Sequence, residues 1–208
     1  LNVIHRQASE ESHIVVNAER MACGNENMVL DTDFQFVETE NAQDAQDEII
    51  ERFMAEYKKG ISLDELQILT PYKKPDVICS TVILNNRLQA KLNPPRASKP
   101  EVRGINYIFR TADKVIQQKN VPGKDGAPDI MNGDIGYIKA ITTVDDNTVV
   151  SIDFGDNRIA QYFPNELNEC GIALAYAITT HKSQGSEYRT VIMPIIKDHA
   201  QMLQRNLV

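Results

Sequence analysis

The sequence predicts an α/β protein in which a parallel sheet with helices is interrupted by a small antiparallel β-barrel. Helical stripes alternate with short apolar strands over residues 1–102, a pattern typical of a parallel sheet. Five short β-type runs with Gly- and Asp-rich turns follow between residues 103 and 168. The sequence pattern of helices and parallel strands returns at about Gly171, so the barrel is predicted to be an insertion.

Three elements are predicted in the first sixty residues. Ser9 is a predicted N-cap, and an apolar stripe with helical spacing continues from it to Gly24, where the helix is expected to end. Alternating apolar residues predict a short strand over Asp33–Glu38. A second helix is predicted over Ala42–Lys59, since its early acids and late bases complement the helix dipole.

The next two elements lead to the predicted barrel. Leu66–Leu69 is a predicted strand, and Ser80–Lys91 is a predicted helix that a Pro-Pro pair ends. The barrel strands are predicted at Tyr107–Arg110, Lys114–Gln118, Gly136–Thr142, Val149–Phe154 and Arg158–Phe163. The predicted division is therefore 1–102, an insertion at 103–168, and 169–208.

Charge is unevenly distributed along a chain whose formal net charge is −7. Residues 1–60 hold 5 Lys or Arg against 13 Asp or Glu, whereas residues 73–124 hold 11 Lys or Arg against 3 acids. A local basic concentration, more than total charge, marks a phosphate-binding surface. The same pattern also fits a solvated basic face, so charge alone leaves both interpretations open.

Composition excludes several other classes of protein. The three cysteines are odd in number and widely spaced, which argues against a disulfide framework and favours a reducing cytoplasm. The histidines have no metal-ligand spacing, so no metal site is predicted. No apolar run is long enough to span a membrane and no signal peptide is visible, so a cytoplasmic protein without membrane contact is expected.

The most informative segment is a polar run, Thr179–Glu187, between two apolar stretches, Leu174–Ile178 and Val191–Ile196. It is longer than a plain turn requires. Hydroxyl and backbone N–H groups bind phosphate oxygens, and glycine allows a ligand to approach the backbone closely. A capped polar loop before a buried strand is the structural alternative, and the combination of His, Lys, Gln and Glu favours a functional loop.

This segment resembles motif V of superfamily 1 DNA helicases, in the T-x-H-K-S-Q-G-S-E form of the RecD-like and TraA-like branch. The resemblance implies a loop between ATP and single-stranded DNA. The residues implied to face DNA are Thr179, His181, Lys182, Ser183 and Gln184. The residues implied to approach ATP are Gly185, Ser186 and Glu187.

Other segments resemble the same branch in the same order. Arg6 lies in a stretch similar to motif IV, whose arginine reaches the γ-phosphate of ATP, so the resemblance implies a catalytic and ATP-binding role for it. Arginine suits that role because it is permanently charged and bidentate toward phosphate. Thr70 and Pro71 match the Q-x-L-T-P segment, and the resemblance implies that they contact DNA at the carboxyl end of a sheet strand.

Three further segments support the resemblance, and the chain departs from it at two places. The spacing L-N-x-x-L-Q-x-x-L-N-P over Leu84–Pro94 matches, as do Asp113–Asn120 and N-G-D-I-G at Asn132–Gly136. The chain departs from the family at Lys73–Val82, where a glycine-containing stretch is usual, and at Ala112, where a glycine usually precedes the aspartate. The first departure puts the DNA contacts of that loop in doubt.

The resemblance covers nearly the whole chain and implies a RecA-like second motor domain with an inserted Src-homology-3-like barrel. No G-x-x-x-x-G-K-[ST] phosphate loop and no strand-borne Asp-Glu pair for Mg²⁺ occur, and Gly123–Gly126 is interpreted as a turn. We therefore expect a fragment that stops before the last helicase motif. It is predicted to be inactive and cofactor-free alone, whereas the full-length enzyme would use ATP and Mg²⁺.

The implied partners are single-stranded DNA, the N-terminal motor domain of the same protein and RecB/RecC-like subunits. The resemblance suggests 5′-to-3′ movement in recombination, repair or conjugation. A non-catalytic single-stranded-DNA-binding module is the alternative, and an interaction domain without nucleic acid is a third interpretation. Arg6 and the Gly185–Glu187 end distinguish the first, because a pure binder has no use for them.

Overall fold

Helices accompany both parallel and antiparallel sheets in the computed structural model, which describes residues 12–123, 128–145 and 147–202. The described helices are α1 (His13–Ala22), α2 (Ala42–Lys58), α3 (Thr81–Leu92) and α4 (Pro164–Glu169). The strands are β1 (Leu66–Thr70), β2 (Glu101–Arg103), β3 (Ile108–Arg110), β4 (Lys114–Gln117), β5 (Ile135–Val144), β6 (Asn147–Asp153), β7 (Ile159–Tyr162), β8 (Ile172–Leu174), β9 (Ala177–Thr179) and β10 (Thr190–Ile192). The predicted α/β class is thereby confirmed.

The helices begin and end close to the predicted positions. The Asn41 side chain caps α2 by accepting the backbone N–H groups of Gln43 and Asp44 at 2.9 and 3.0 Å. The Ser80 hydroxyl caps α3 at the N–H of Ile83, 3.4 Å away. The predicted N-cap of the first helix, Ser9, lies outside the described residues, and α1 begins at His13.

The predicted strand over Asp33–Glu38 is wrong. The segment contains bends and no strand, and Phe36 is 62% exposed. An alternating pattern produces a strand only where a neighbouring strand accepts its backbone hydrogen bonds. No described strand pairs with this segment.

The parallel sheet has the order β10-β1-β9, with β1 in the centre. The central strand is buried, as its continuous apolar sequence indicates. Only the start of the apolar stretch Val191–Ile196 forms a strand, since β10 ends at Ile192. Val191 is 47% exposed, because β10 is an edge strand that pairs with β1 alone among the described strands, and Ile195 beyond the strand is 55% exposed.

The antiparallel sheet has the order β7-β6-β5-β4-β8, and β2 pairs with β3 in a separate ribbon. All five predicted β-runs of residues 103–168 form strands; four of them, β4 to β7, lie in the antiparallel sheet, and β8 joins these from beyond residue 168. Gly136 permits close approach of β5 and β6, because a Cβ there would lie 2.5 Å from the Asp153 carbonyl oxygen. Among the described residues, no pairing between β7 and β8 closes this sheet into a barrel.

One buried segment, Ile172–Ile178, serves both sheets, with β8 in the antiparallel sheet and β9 in the parallel one. Two side chains satisfy its backbone where it crosses between them. The Asn85 amide donates to the carbonyl oxygens of Leu174 and Ala177 at 2.9 and 2.8 Å and accepts the Ala177 N–H at 2.8 Å. Gln67 on β1 donates to the Tyr176 carbonyl at 2.9 Å. These bonds fix the antiparallel sheet against α3 and β1.

Asp113 forms a second buried junction between α3 and the antiparallel sheet. Its carboxylate accepts hydrogen bonds from Gln89 of α3 and from Asn93, the C-cap residue of that helix, at 2.5 and 2.7 Å. The Arg110 backbone N–H and the Tyr176 hydroxyl donate to it at 2.7 and 3.1 Å. Burial raises the pKa of Asp113, opposed by these hydrogen bonds. The polar positions of the predicted L-N-x-x-L-Q-x-x-L-N motif therefore hold the fold together.

Candidate functional site

Two of the predicted site segments lie side by side at the carboxyl edge of the parallel sheet. Thr70 at the end of β1 pairs with Thr179 at the end of β9. Pro71 continues the chain after β1, and a 3-10 turn over Thr180–Ser183 follows β9. The carboxyl ends of parallel strands are where open α/β sheets bind ligands.

A groove of about 320 Å³ opens at this edge. Its basic lining residues are Lys73, Lys74, His181 and Lys182, and its aromatic ones are Tyr72 and Tyr107. The remaining lining residues are Pro71, Thr81, Ile116, Gln118, Leu174, Ala177, Ile178 and Thr179. The groove therefore combines positive charge with an apolar and aromatic wall, and Ile116 and Gln118 bring the antiparallel sheet into it.

Lys182 reaches across from the 3-10 turn toward the antiparallel sheet. Its ammonium group donates to the side-chain oxygen of Asn132, which belongs to the predicted N-G-D-I-G segment. Burial lowers the pKa of Lys182, and the nearby charge of Lys73 lowers it further. Two cations that repel each other in one groove would both be stabilised by a bound anion such as a phosphate.

Thr70 lies beneath the groove and does not line it. The residue is fully buried, and its hydroxyl donates to the Cys79 carbonyl oxygen at 2.7 Å. Cys79 has a φ of +55°, in the left-handed region that favours glycine, and it lies in the stretch where the family usually has one. Of the two residues predicted from this segment, only Pro71 is in the groove wall.

The second half of the loop lies outside the groove lining, both Ser183 and Gln184, which were predicted to face DNA, and Gly185–Glu187, which was predicted to approach ATP. Gln184, Gly185, Ser186 and Glu187 are exposed, and the Ser183 hydroxyl donates to the Thr180 carbonyl at 2.8 Å. Gly185 has a φ of +90°, and a Cβ there would contact nothing within 4 Å. Its conformation and the open space around it suit a close backbone approach by a ligand. Arg6 and the Gly123–Gly126 turn fall wholly or partly outside the described residues.

The structure divides the basic stretch of residues 73–124 into two groups. Arg87 and Arg110 form ion pairs with Asp47 and Glu101. Lys114 is buried, and its ammonium group donates to the Leu63 carbonyl and to the Gln67 side chain. Burial lowers the pKa of Lys114 to about 8. These three cations have partners within the chain, whereas Lys73 and Lys74 are exposed and line the groove.

Sequence reasoning missed several groove residues. Tyr72 follows directly on Thr70-Pro71, and that continuity could have identified it, whereas Lys73 and Lys74 belong to the basic stretch that the sequence already marked. Tyr107 and Ile116 lie far away in sequence and had no local signal. Within the described residues there is no cluster of three or more His, Cys, Asp or Glu side chains suited to a metal ion. None of the described helices combines the length and the apolar character that crossing a bilayer requires.

Comparison with known proteins agrees with this arrangement. Residues 84–154 match the family model of the ATP-dependent RecD-like DNA helicase SH3 domain. Residues 174–208 match the model of the UvrD-like helicase C-terminal domain. The chain is 34% identical over 143 residues to the ATP-dependent RecD2 DNA helicase of Deinococcus radiodurans. The aligned residues make up 69% of this chain and 18% of the relative.

The two family models and the relative agree on a class of protein, the superfamily 1 helicases. The chain belongs to the RecD-like branch of that class and corresponds to part of its C-terminal region. It spans about a fifth of the length of the relative that it matches.

Proposed function

We propose that this chain is the part of a cytoplasmic, ATP-dependent DNA helicase that holds single-stranded DNA during translocation. The observation that carries the proposal is the groove at the carboxyl ends of β1 and β9, lined by Lys73, Lys74, His181 and Lys182. Basic side chains along a groove bind the phosphates of a nucleic-acid backbone, and a mixed apolar and aromatic wall accommodates unstacked bases. In duplex DNA the bases are paired and stacked on one another, so they are not available to contact such a wall.

In this proposal residues 1–102 and 169–208 belong to a RecA-like motor domain and residues 103–168 form an inserted small barrel, to whose sheet β8 adds a strand from beyond the insertion. The lining of the groove by both sheets supports that assignment, because an insertion on the DNA path must reach the same groove. Movement from 5′ to 3′ and a role in recombination, repair or conjugation with RecB/RecC-like subunits are the finer expectations from the family.

ATP with Mg²⁺ would supply the free energy for movement in the full-length enzyme. The described residues fit a nucleotide at one point, the exposed Gly185–Glu187 turn, where Gly185 has open space for a phosphate or sugar. Glu187 would accept a hydrogen bond from a ribose hydroxyl there, and Arg6 would pair with a phosphate. This chain supplies neither a phosphate loop nor a strand-borne Asp-Glu pair, so we propose that it is inactive alone.

Fluorescence anisotropy tests the DNA part of the proposal. The 208-residue chain is titrated into a labelled single strand of about 15 nucleotides and into the corresponding duplex, at low and moderate salt. We expect salt-sensitive binding that prefers the single strand. Lys73→Ala and Lys182→Ala should each flatten the slope of log affinity against log salt by about 0.7.

Lys58→Ala is the matched control, because Lys58 is an exposed cation at the end of α2 and does not line the groove. An unchanged slope for this variant shows that the groove cations are responsible. Equal losses in all three variants would assign binding to overall charge, and absence of binding to either DNA at low salt would contradict the proposal for this chain.

A variant of the full-length helicase tests the nucleotide part. Arg6→Ala is expected to abolish ATP turnover while single-strand binding survives, since the arginine would act on phosphate and not on DNA. Turnover retained within about threefold would remove Arg6 from the nucleotide site. A full-length protein that binds single strands without ATP turnover would instead be the non-catalytic binding module.

A further inference from the structure

The groove contains an aromatic side chain that a purely phosphate-binding surface does not need. Tyr72 lines the groove next to Lys73, and its ring lies against that of His199, with the ring centroids 5.2 Å apart and the planes inclined by 46°. The Tyr72 carbonyl accepts the Thr81 N–H at 2.9 Å, which fixes the backbone at the start of α3. The His199 ring therefore supports the side chain of Tyr72, and the hydrogen bond from Thr81 fixes its backbone.

His199 supports this ring from a buried position. It is fully buried in the 3-10 turn Lys197–His199, and its Nε2 donates to the Ile78 carbonyl oxygen at 2.9 Å. With the proton on Nε2, Nδ1 has no hydrogen-bond partner among the described residues. Packing explains a buried imidazole that leaves one nitrogen unpaired better than polar contacts do, and the ring of Tyr72 is among the groups against which it lies.

The apolar side chains of the groove are nearly buried, whereas Tyr72 is partly exposed and open to a flat, uncharged ligand. Ile116, Leu174 and Ile178 line the groove beside the lysines with 3% or less of each residue exposed. A phosphate gains nothing from an aromatic ring, whereas a nucleobase stacks on it. A tyrosine that is already fixed loses little conformational entropy when a base stacks on it.

We propose that Tyr72 is a base-stacking platform of this groove and that His199 is its positioning residue. The inference rests on the proposed function and deepens it, because it assigns the preference for single strands to contacts with bases. Lys73, Lys74 and Lys182 bind the phosphates, and Tyr72 binds an unstacked base, which a duplex cannot present.

A comparison of two ligands separates base contacts from phosphate contacts in the wild-type chain. One is a labelled thymidine oligonucleotide, and the other is a strand of the same length and charge built of abasic sites. We expect the thymidine strand to bind about fivefold or more tightly than the abasic one, the range that one stacked base contributes. Equal affinity for the two strands would overturn the inference and leave the proposed function intact.

Variants then assign the difference to Tyr72. Tyr72→Leu should lower affinity for the thymidine strand about fivefold and leave the abasic affinity within twofold, and Tyr72→Phe should retain wild-type behaviour. Lys73→Ala should weaken both strands equally. His199→Gln keeps a donor for the Ile78 carbonyl but removes the ring, so it should reduce the ratio of the two affinities.

Each remaining outcome has a definite meaning. A Tyr72→Leu variant that melts with the wild type and keeps the full preference for thymidine would overturn the inference. Loss of affinity for both strands in parallel, for Tyr72→Leu as for Lys73→Ala, would do the same. If the wild-type chain binds neither strand, the proposed function fails and the platform fails with it.

Discussion

Two polar segments resemble the RecD-like helicases, and their polar side chains differ sharply in burial. In α3 and at its C-cap, the side chains of Asn85, Gln89 and Asn93 are buried and hydrogen-bonded to other elements. In the loop after β9, His181 and Gln184 are exposed, and no described hydrogen bond involves their side chains. A motif match therefore does not by itself mark a ligand contact.

The two segments differ in how much free energy of folding is lost when a polar side chain loses its hydrogen-bond partner. A buried amide that loses its partners leaves donors and acceptors without water to replace them, whereas an exposed side chain exchanges one water for another. Thr70 and Thr179 show the same contrast at one sheet edge. The Thr70 hydroxyl is committed to the Cys79 carbonyl, while Thr179 lines the groove.

The largest expected effect comes from removing Asn85, the residue that holds the crossover between the sheets. Asn85→Ala leaves the Leu174 and Ala177 carbonyl groups and the Ala177 N–H without these bonds. We expect the free energy of unfolding to fall by about 3 kcal/mol or more. Urea denaturation followed by circular dichroism measures the change.

His181→Ala is the matched control for this prediction, since it removes an exposed polar residue of the other segment. Its free energy of unfolding should stay within about 0.5 kcal/mol of the wild type, while single-strand binding weakens. A large loss of stability in His181→Ala, or none in Asn85→Ala, would erase the distinction between the two segments.

Much of the architecture could be predicted because it depends on local sequence. The helix over Ala42–Lys59 and the five β-runs of residues 103–168 follow from periodicity, caps and turns, and all of them form. The strand over Asp33–Glu38 fails because strand formation needs a partner that the segment itself does not specify. The position of β8 in the antiparallel sheet likewise depends on which edge is available in three dimensions.

The site could be predicted less completely, for a similar reason. That Thr70 and Thr179 meet at one edge follows from the rule for parallel strands. That the Thr70 hydroxyl is used internally depends on a left-handed residue nine positions later, Cys79, which no local pattern revealed. Charged side chains are usually exposed, so sequence alone gave no reason to place Arg110 and Lys114 in the interior.

Lys114 tests the comparison between the interior and the groove, because its lowered pKa makes the free energy of unfolding depend on pH. The pKa of its ammonium group is about 8 in the folded chain, against an ordinary 10.5. Between these values the unfolded state holds more protons than the folded state, so the free energy of unfolding rises with pH. Below pH 8 both states are protonated, and the cost of burying the charge is fully present.

We expect the free energy of unfolding of the wild type to gain on that of Lys114→Met between pH 8 and 10, by about 1 kcal/mol per pH unit or less. Tyrosine ionisation occurs in both proteins and cancels in the difference. Urea denaturation at several pH values measures it. A constant difference across this range would mean that the lysine is hydrated and does not belong with the buried group.

The smallest expected effect concerns Ala112, one of the two places where the chain departs from the family's glycines. Its φ is +72°, and the residue is exposed, so no side-chain packing is lost when it is shortened. Ala112→Gly removes the strain of the left-handed conformation but adds freedom to the unfolded chain, so a net stabilisation of up to about 1 kcal/mol is expected. That gain corresponds to a rise in melting temperature of about 2 °C.

Cys79→Gly relieves the same kind of strain at a φ of +55°, but it also deletes a fully buried side chain. We therefore expect it to destabilise the chain, since the cavity outweighs the relief. Opposite signs for the two variants in thermal melts would show that the departures differ: Ala112 is a tolerated strain, and Cys79 has become part of the core that positions Thr70 beneath the groove. Stabilisation by both would mean that the Cys79 side chain contributes nothing to that core.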